Sequence, residues 1–157
     1  MSKKIWFDDS AADIKKIPDL FWAMSQWIVS EKAANIINNF DLGQGALYPV
    51  AEGVFQSDRA TRIPGSYYCW IFGCVKDALL PEDCYNLREP QAAGLWFRIP
   101  WNLKDGDVAV SKQALLGPDV WIDPMLFKSL FLSARLGDAL NDAGLSASLR
   151  LCRCRVN

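Results

Sequence analysis

The sequence predicts an α+β fold: a mostly antiparallel sheet with three or four short helices. Two observations carry the prediction. Residues 46–55 and 66–75 are rich in aromatic and β-branched side chains, the composition of pleated, half-buried strands. Residues 30–40 and 133–143 instead open on a serine and repeat apolar residues at helical spacing. The two kinds of segment follow no regular βαβ alternation, which separates α+β from a parallel α/β sheet. No connector is long or polar enough to mark a boundary, so one domain over residues 1–157 is expected.

Taken in order, Lys4-Ile-Trp-Phe7 reads as a short first strand. After Pro18, the residues Leu20, Phe21, Met24, Trp27 and Ile28 fit a helical stripe, with an extended run as the alternative because β-branched residues follow. Ser30 caps a clearer helix, with Ala33, Ile36, Ile37 and Phe40 on one face and Asp41-Leu-Gly43 as its stop. Residues 56–65 carry Ser-Asp-Arg, Thr-Arg and Ile-Pro-Gly, the chemistry of a long hairpin loop with exposed charge. Residues 76–86 can begin one helical turn, which Pro81 interrupts. Residues 91–94 connect to a strand at 95–99, and 100–106 form a turn. Val108-Ala-Val110 then enters a short helix capped by Ser111. Trp121-Ile-Asp-Pro124 forms a turn. Ser133 caps an amphipathic helix through Leu136, Ala139, Leu140 and Ala143, and Gly144 stops it. A terminal strand carries Arg150, Arg153 and Arg155. The runs before Ser30, Ser111 and Ser133 share one grammar, apolar residues and then a capping serine, without the fixed period of a structural repeat.

Half of the 157 residues are hydrophobic, enough for one substantial core in a soluble protein. A net charge of −1 removes the driving force for general nucleic-acid binding, and the three C-terminal arginines read as the solvated edge of a strand. No apolar run is long enough to cross a bilayer, and Asp8, Asp9 and Asp13 interrupt any signal core, so a cytoplasmic location is expected. Five cysteines without an export signal indicate reduced thiols. Cys69, Cys74 and Cys84 lie in or near apolar stretches, while Cys152 and Cys154 share one face of the terminal strand. Their spacing is not that of a zinc site, so they read as small buried apolar residues, and no metal or cofactor is expected.

Histidine is absent, which removes the commonest general base and the Ser-His and Cys-His nucleophile pairs. Carboxylate chemistry survives in principle, through Asp8 with Asp9, Glu82 with Asp83, or Asp105 with Asp107. Neighbouring carboxylates on a strand point to opposite faces and the turn pairs sit among solvent-facing residues, so a solvated surface is the favoured reading. Gly43-Gln-Gly45 follows a helix instead of a strand and is a helix stop, not a dinucleotide loop. Trp96, Trp101 and Trp121 could stack on a ligand, but most tryptophans supply core area. Trp101 differs, because Pro100 and Asn102-Leu-Lys-Asp-Gly put it on a turn, the setting of an interface anchor.

The run Trp121-Ile-Asp-Pro124, Leu130-Phe-Leu-Ser133, Leu136-Gly-Asp-Ala-Leu140, Ala143-Gly-Leu145 and the closing Leu-Cys-Arg-Cys-Arg-Val resembles the C-terminal signature of immunity protein family 11. The likeness is clearest over 119–156 and weaker over 28–40, 47–50 and 67–80. It implies an α+β, non-catalytic, cytoplasmic protein that neutralises a cognate toxin encoded by the adjacent gene. For such a protein the expected partner-binding residues are Asp58, Arg59 and Arg62 in the charged loop, and Trp101, Lys104, Asp105 and Asp107 in the later turn. Two other readings stand beside it. One is a carboxylate enzyme that reverses a toxin's modification, which requires an enclosed pocket holding at least two of the acidic residues above. The other is a general interaction adaptor with no toxin partner.

Overall fold

The sheet is organised around a hairpin for which the sequence carries no turn signal. In the computed structural model, which describes residues 4–6, 17–90, 96–127 and 129–157, β2 (Leu20–Ala23) and β3 (Gln26–Ser30) pair antiparallel with Phe21 opposite Ile28. The predicted helical stripe over 20–28 is therefore wrong, and the extended alternative is right. Met24 and Ser25 make the two-residue turn, with φ of 47° and 60°. Such turns ordinarily use Asn-Gly or Asp-Gly, because positive φ is cheap only for those residues.

The central sheet runs in the order β2, β3, β6 (Tyr67–Ile71), β4 (Ala46–Pro49), and every pairing is antiparallel. Both its faces are covered. Phe21, Ala23, Ile28, Tyr67 and Cys69 point to one side, where Ile5 and Val54 meet them from a parallel pair, β1 (Lys4–Trp6) and β5 (Gly53–Phe55). Val29 and Trp70 point to the other side, against Ala33, Ala34 and Ile37 of α1 (Glu31–Ile37) and Leu136 and Leu140 of α2 (Ala134–Asp142). Ile28, Val29, Ile37, Leu136 and Leu140 are fully buried, each contributing about 1.5–3 kcal/mol of hydrophobic stabilisation.

Helix termini follow the sequence closely. The Ser30 and Ser133 hydroxyls accept the Ala33 and Leu136 backbone N–H groups, each at 3.3 Å. Gly144 takes φ +73° and donates to the Asn141 carbonyl, while Leu145 donates to Leu140. That is a Schellman ending, with Leu140 and Leu145 packed together in the core. The first helix is shorter than predicted: it ends at Ile37, and Phe40 packs from the following turn.

A third cluster, which includes Leu79, Val110, Trp121, Leu126 and Phe131, lies beyond the helices. It is held by two short pairs, β8 (Val120–Trp121) with β9 (Phe131–Leu132), and β7 (Ala109–Val110) with β10 (Arg155–Val156). Val120 serves the helix-side core and Trp121 the third cluster, so β8 joins them. Trp121 is thus core, stacked on Phe131 at 5.5 Å.

Several boundaries need correction. Pro81 starts a 3₁₀ turn, Pro81–Asp83, rather than stopping a helix. Its missing N–H costs nothing at a first helical position. Ser111 precedes a 3₁₀ turn, Lys112–Leu115, without a side-chain cap. Residues 96–99 make only isolated bridges, at Phe97 and Arg98. The turn expected at 121–124 begins after Trp121, which is in a strand. The terminal strand is confined to Arg155–Val156, preceded by a helix absent from the expectation, α3 (Ser146–Leu149). Only Cys69 of the five cysteines is buried, and Cys154 is exposed. The readings at Phe7, Asp8, Asp9 and 91–95 lie outside the described residues.

Candidate interaction surface

The seven predicted site residues fall on two loops that rest on different clusters, Ile63 anchoring one and Leu103 the other. Among the described residues no hydrogen bond or ion pair joins the two groups.

In the first loop the charged side chains are exposed but engage groups within and beside the loop. Phe55 bridges Arg62, and the Gln56 N–H donates to Thr61 at 2.9 Å, closing a local hairpin. The Asp58 carboxylate accepts the Thr61 hydroxyl and the backbone N–H groups of Thr61 and Ala60. Those hydrogen bonds hold it below the usual carboxylate range, the Thr61 hydroxyl having the largest effect. Arg59 is left-handed, at φ 58°; its guanidinium covers the Trp6 ring at 4.6 Å and its carbonyl accepts the Lys4 ammonium at 2.7 Å. Arg62 lies over Gly53, so close that a Cβ on that glycine would meet the Arg62 Nε at 2.6 Å. All three side chains are committed within the loop and its neighbours.

The second loop is braced differently. The Asp107 carboxylate accepts the Lys104 N–H at 2.9 Å, and Asp105 accepts the Arg153 N–H at 2.8 Å. The Gly106 N–H donates to the Arg153 carbonyl, and its own carbonyl accepts Arg155 Nε, both at 2.8 Å. Arg155 also reaches the Asp83 carbonyl and covers the Tyr85 ring at 4.4 Å. These contacts staple the turn to the 152–155 segment and leave Trp101 projecting from it with 86% of its surface exposed. The C-terminal arginines are accordingly not one solvated strand edge. Arg155 is an internal strut, Arg153 pairs with Asp138 at 3.2 Å, and Arg150 stands apart.

Beside Trp101 runs an open groove of about 620 Å³, lined by Ile99, Pro100, Leu103, Ala147, Arg150 and Leu151 among others. Arg150 terminates α3 in the left-handed region, φ 51° and ψ 48°, a conformation that costs a non-glycine residue about 1–2 kcal/mol. Sequence reasoning grouped Arg150 with its two neighbours and so missed this placement; a helix too short to show periodicity gave no signal. A second open groove, about 390 Å³, is walled by Trp22, Trp27, Trp70, Phe72 and Trp96 at the end of the central sheet. Among the described residues its lining holds no basic side chain.

Three of the carboxylates raised as catalytic candidates are engaged elsewhere. Asp83 accepts the Asn157 amide at 2.9 Å, Asp105 accepts the Arg153 N–H, Asp107 accepts the Lys104 N–H within its own turn, and neither groove is lined by Glu82, Asp83, Asp105 or Asp107. The two buried acids, Asp119 and Asp123, bind backbone. Asp123 accepts the Ala78, Leu79 and Met125 N–H groups at 2.8–2.9 Å, and the Asp119 carboxylate accepts the Asp41 N–H at 2.9 Å and the Arg135 guanidinium at 3.0 Å. Among the described residues no set of His, Cys, Asp and Glu side chains could hold a metal ion, and no helix is long and apolar enough to cross a membrane. No protein-family model, curated protein or solved structure matches the chain.

Proposed function

We propose that this chain is a non-catalytic immunity protein of the family-11 type, which binds and neutralises a cognate toxin encoded by the adjacent gene and acts in the cytoplasm. The observation that carries the reading is Trp101. An indole 86% exposed next to a turn that three hydrogen bonds tie to Arg153 and Arg155 is a large apolar area kept out of the core. That combination suits an interface anchor, because a large exposed aromatic on a tethered loop offers the kind of area that a partner covers at a hot spot. The motif likeness over 119–156 supplies the kind of partner. The carboxylate-enzyme alternative gains no comparable support, since none of its described acidic candidates, Glu82, Asp83, Asp105 and Asp107, lines either groove.

The test is co-expression with the product of the adjacent upstream gene, scoring growth and co-purification. The expected result is rescue of growth and a stable complex at equal stoichiometry. Cells that die despite abundant folded protein, or a gene with no toxin neighbour, would favour the adaptor reading instead.

A further inference from the structure

Among the described residues the groove beside Trp101 has one charged side chain in its lining, Arg150, and its guanidinium has no hydrogen bond or ion pair there. The charges around it are spoken for: Arg153 by Asp138, Asp105 by the Arg153 N–H, and Asp107 by the Lys104 N–H. The remaining lining is chiefly apolar. Arg150 also sits in a left-handed conformation that glycine would adopt more cheaply. Strain of this kind points to function where the strained residue borders a site. Here it sets an unpaired cation in the lining of an apolar trough that also includes the most exposed aromatic among the described residues.

We propose that this groove docks a segment of the partner protein that presents an apolar side chain next to a carboxylate. The apolar group packs along Leu151 and Trp101, and the carboxylate takes the Arg150 guanidinium in a two-pronged pair. A single arginine in a chiefly apolar lining, on a chain of net charge −1, suits one carboxylate and not a polyanion, which separates a protein segment from nucleic acid. The inference rests on the immunity reading and adds to it the partner's chemistry and its place on this chain.

The experiment titrates the full-length chain with the purified product of the adjacent upstream gene, at low and high salt. Trp101→Ala and Arg150→Glu should each weaken binding about tenfold or more, and the wild-type salt dependence should shrink in Arg150→Glu. Arg150→Lys, which keeps the charge, should lose about threefold or less. Lys112→Glu, the same charge change on an exposed residue away from the groove, should bind as wild type does. Trp101 and Arg150 are both exposed, so thermal melts of these variants should match wild type and exclude unfolding as the cause. If wild type binds and protects while Trp101→Ala and Arg150→Glu bind equally well, the groove is the wrong site and the immunity reading survives. If wild type itself neither binds nor protects, both fall together.

Discussion

Asp19 and Asp119 stand in the same relation to the helix that follows each of them. Each precedes the first strand of a hairpin, β2 or β8; the serine that caps α1 is the last residue of the second strand β3, and the serine that caps α2 directly follows the second strand β9. The Asp19 carbonyl accepts the Ser30 N–H at 3.0 Å, and the Asp119 carbonyl accepts the Ser133 N–H at 2.8 Å. Both carboxylates accept the hydroxyl of their serine as well. A serine that donates to an aspartate while accepting from the helix has its rotamer fixed, so the strand enters the helix at one angle. Because α1 and α2 pack together against the sheet, these two junctions set the geometry of the helix layer.

Ser30→Ala and Ser133→Ala should each cost about 1 kcal/mol of stability, the usual value of an N-cap. The second should cost more. Removing the Ser133 hydroxyl takes a donor from the buried Asp119, where water cannot replace it, whereas Asp19 is half-buried. Urea denaturation of both variants checks the order.

Asp119 also predicts a pH dependence. Burial pushes its pKa up, but the Ser133 hydroxyl, the Asp41 N–H and Arg135 outweigh burial and hold it below the ordinary value of 3.8. A folded pKa below the unfolded one stabilises the protein at higher pH. That stabilisation is complete above the unfolded value and is lost as pH falls below it toward the folded value. Asp119→Asn should therefore be less stable than wild type at pH 7, by about 2–4 kcal/mol for a broken buried network. The gap should narrow below about pH 4. Melting temperatures of the two proteins between pH 7 and pH 3 test both statements.

What the sequence could reveal tracks the range of the interaction responsible. Ser30, Ser133 and Gly144 act on backbone within a few residues, and all three do what their types predict. The hairpin at Met24-Ser25 escaped because its turn residues lack the usual signature and because Leu20, Phe21, Met24, Trp27 and Ile28 mimic a helical stripe. Strands β7 and β10 were illegible as a pair, since a two-residue parallel ladder between distant segments leaves no periodic trace. At the surface, Trp101 was readable from its local turn. The placement of Arg59 and Arg62 was not, because it depends on Trp6 and Gly53, which come from elsewhere in the chain. Arg150 required knowledge of α3.

The crossing of the segments around Gly43-Gln-Gly45 and Gly73 gives a sharper stability test. A Cβ on Gly73 would lie 2.3 Å from the Gln44 carbonyl carbon and 2.6 Å from the Gly45 nitrogen, both backbone atoms that cannot rotate away. Gly73→Ala should cost about 3 kcal/mol, the upper range for overpacking. Gly137→Ala is the control: nothing lies within 4 Å of its new Cβ and it sits inside α2, so it should stabilise by about 0.5–1 kcal/mol.

Thiol reactivity should divide along the same structural lines. Burial pushes the Cys69 and Cys84 thiols above their ordinary value, and Cys69 further donates to the Gln26 amide oxygen at 3.1 Å. With little thiolate near neutral pH, both should react with iodoacetamide at least about tenfold more slowly in the native protein than in urea. Peptide mass mapping after timed quenching gives the rates, and equal rates in both states would mean these segments open readily.

Arg150 offers the most discriminating variant, because stability and binding should move in opposite directions. Its left-handed backbone costs about 1–2 kcal/mol, against about 0.5–1 kcal/mol of extra unfolded-chain entropy that glycine would bring. Arg150→Gly should therefore raise the unfolding free energy by about 0.5 kcal/mol, since the side chain it removes forms no internal hydrogen bond or ion pair among the described residues. The same change deletes the one cation among the groove's described lining and should weaken the partner complex as Arg150→Glu does, though less, because no repulsion replaces the lost attraction. A variant both more stable and a poorer binder means that the strain is retained for the contact. A variant that loses stability would mean instead that the Arg150 stem holds the end of α3 in place.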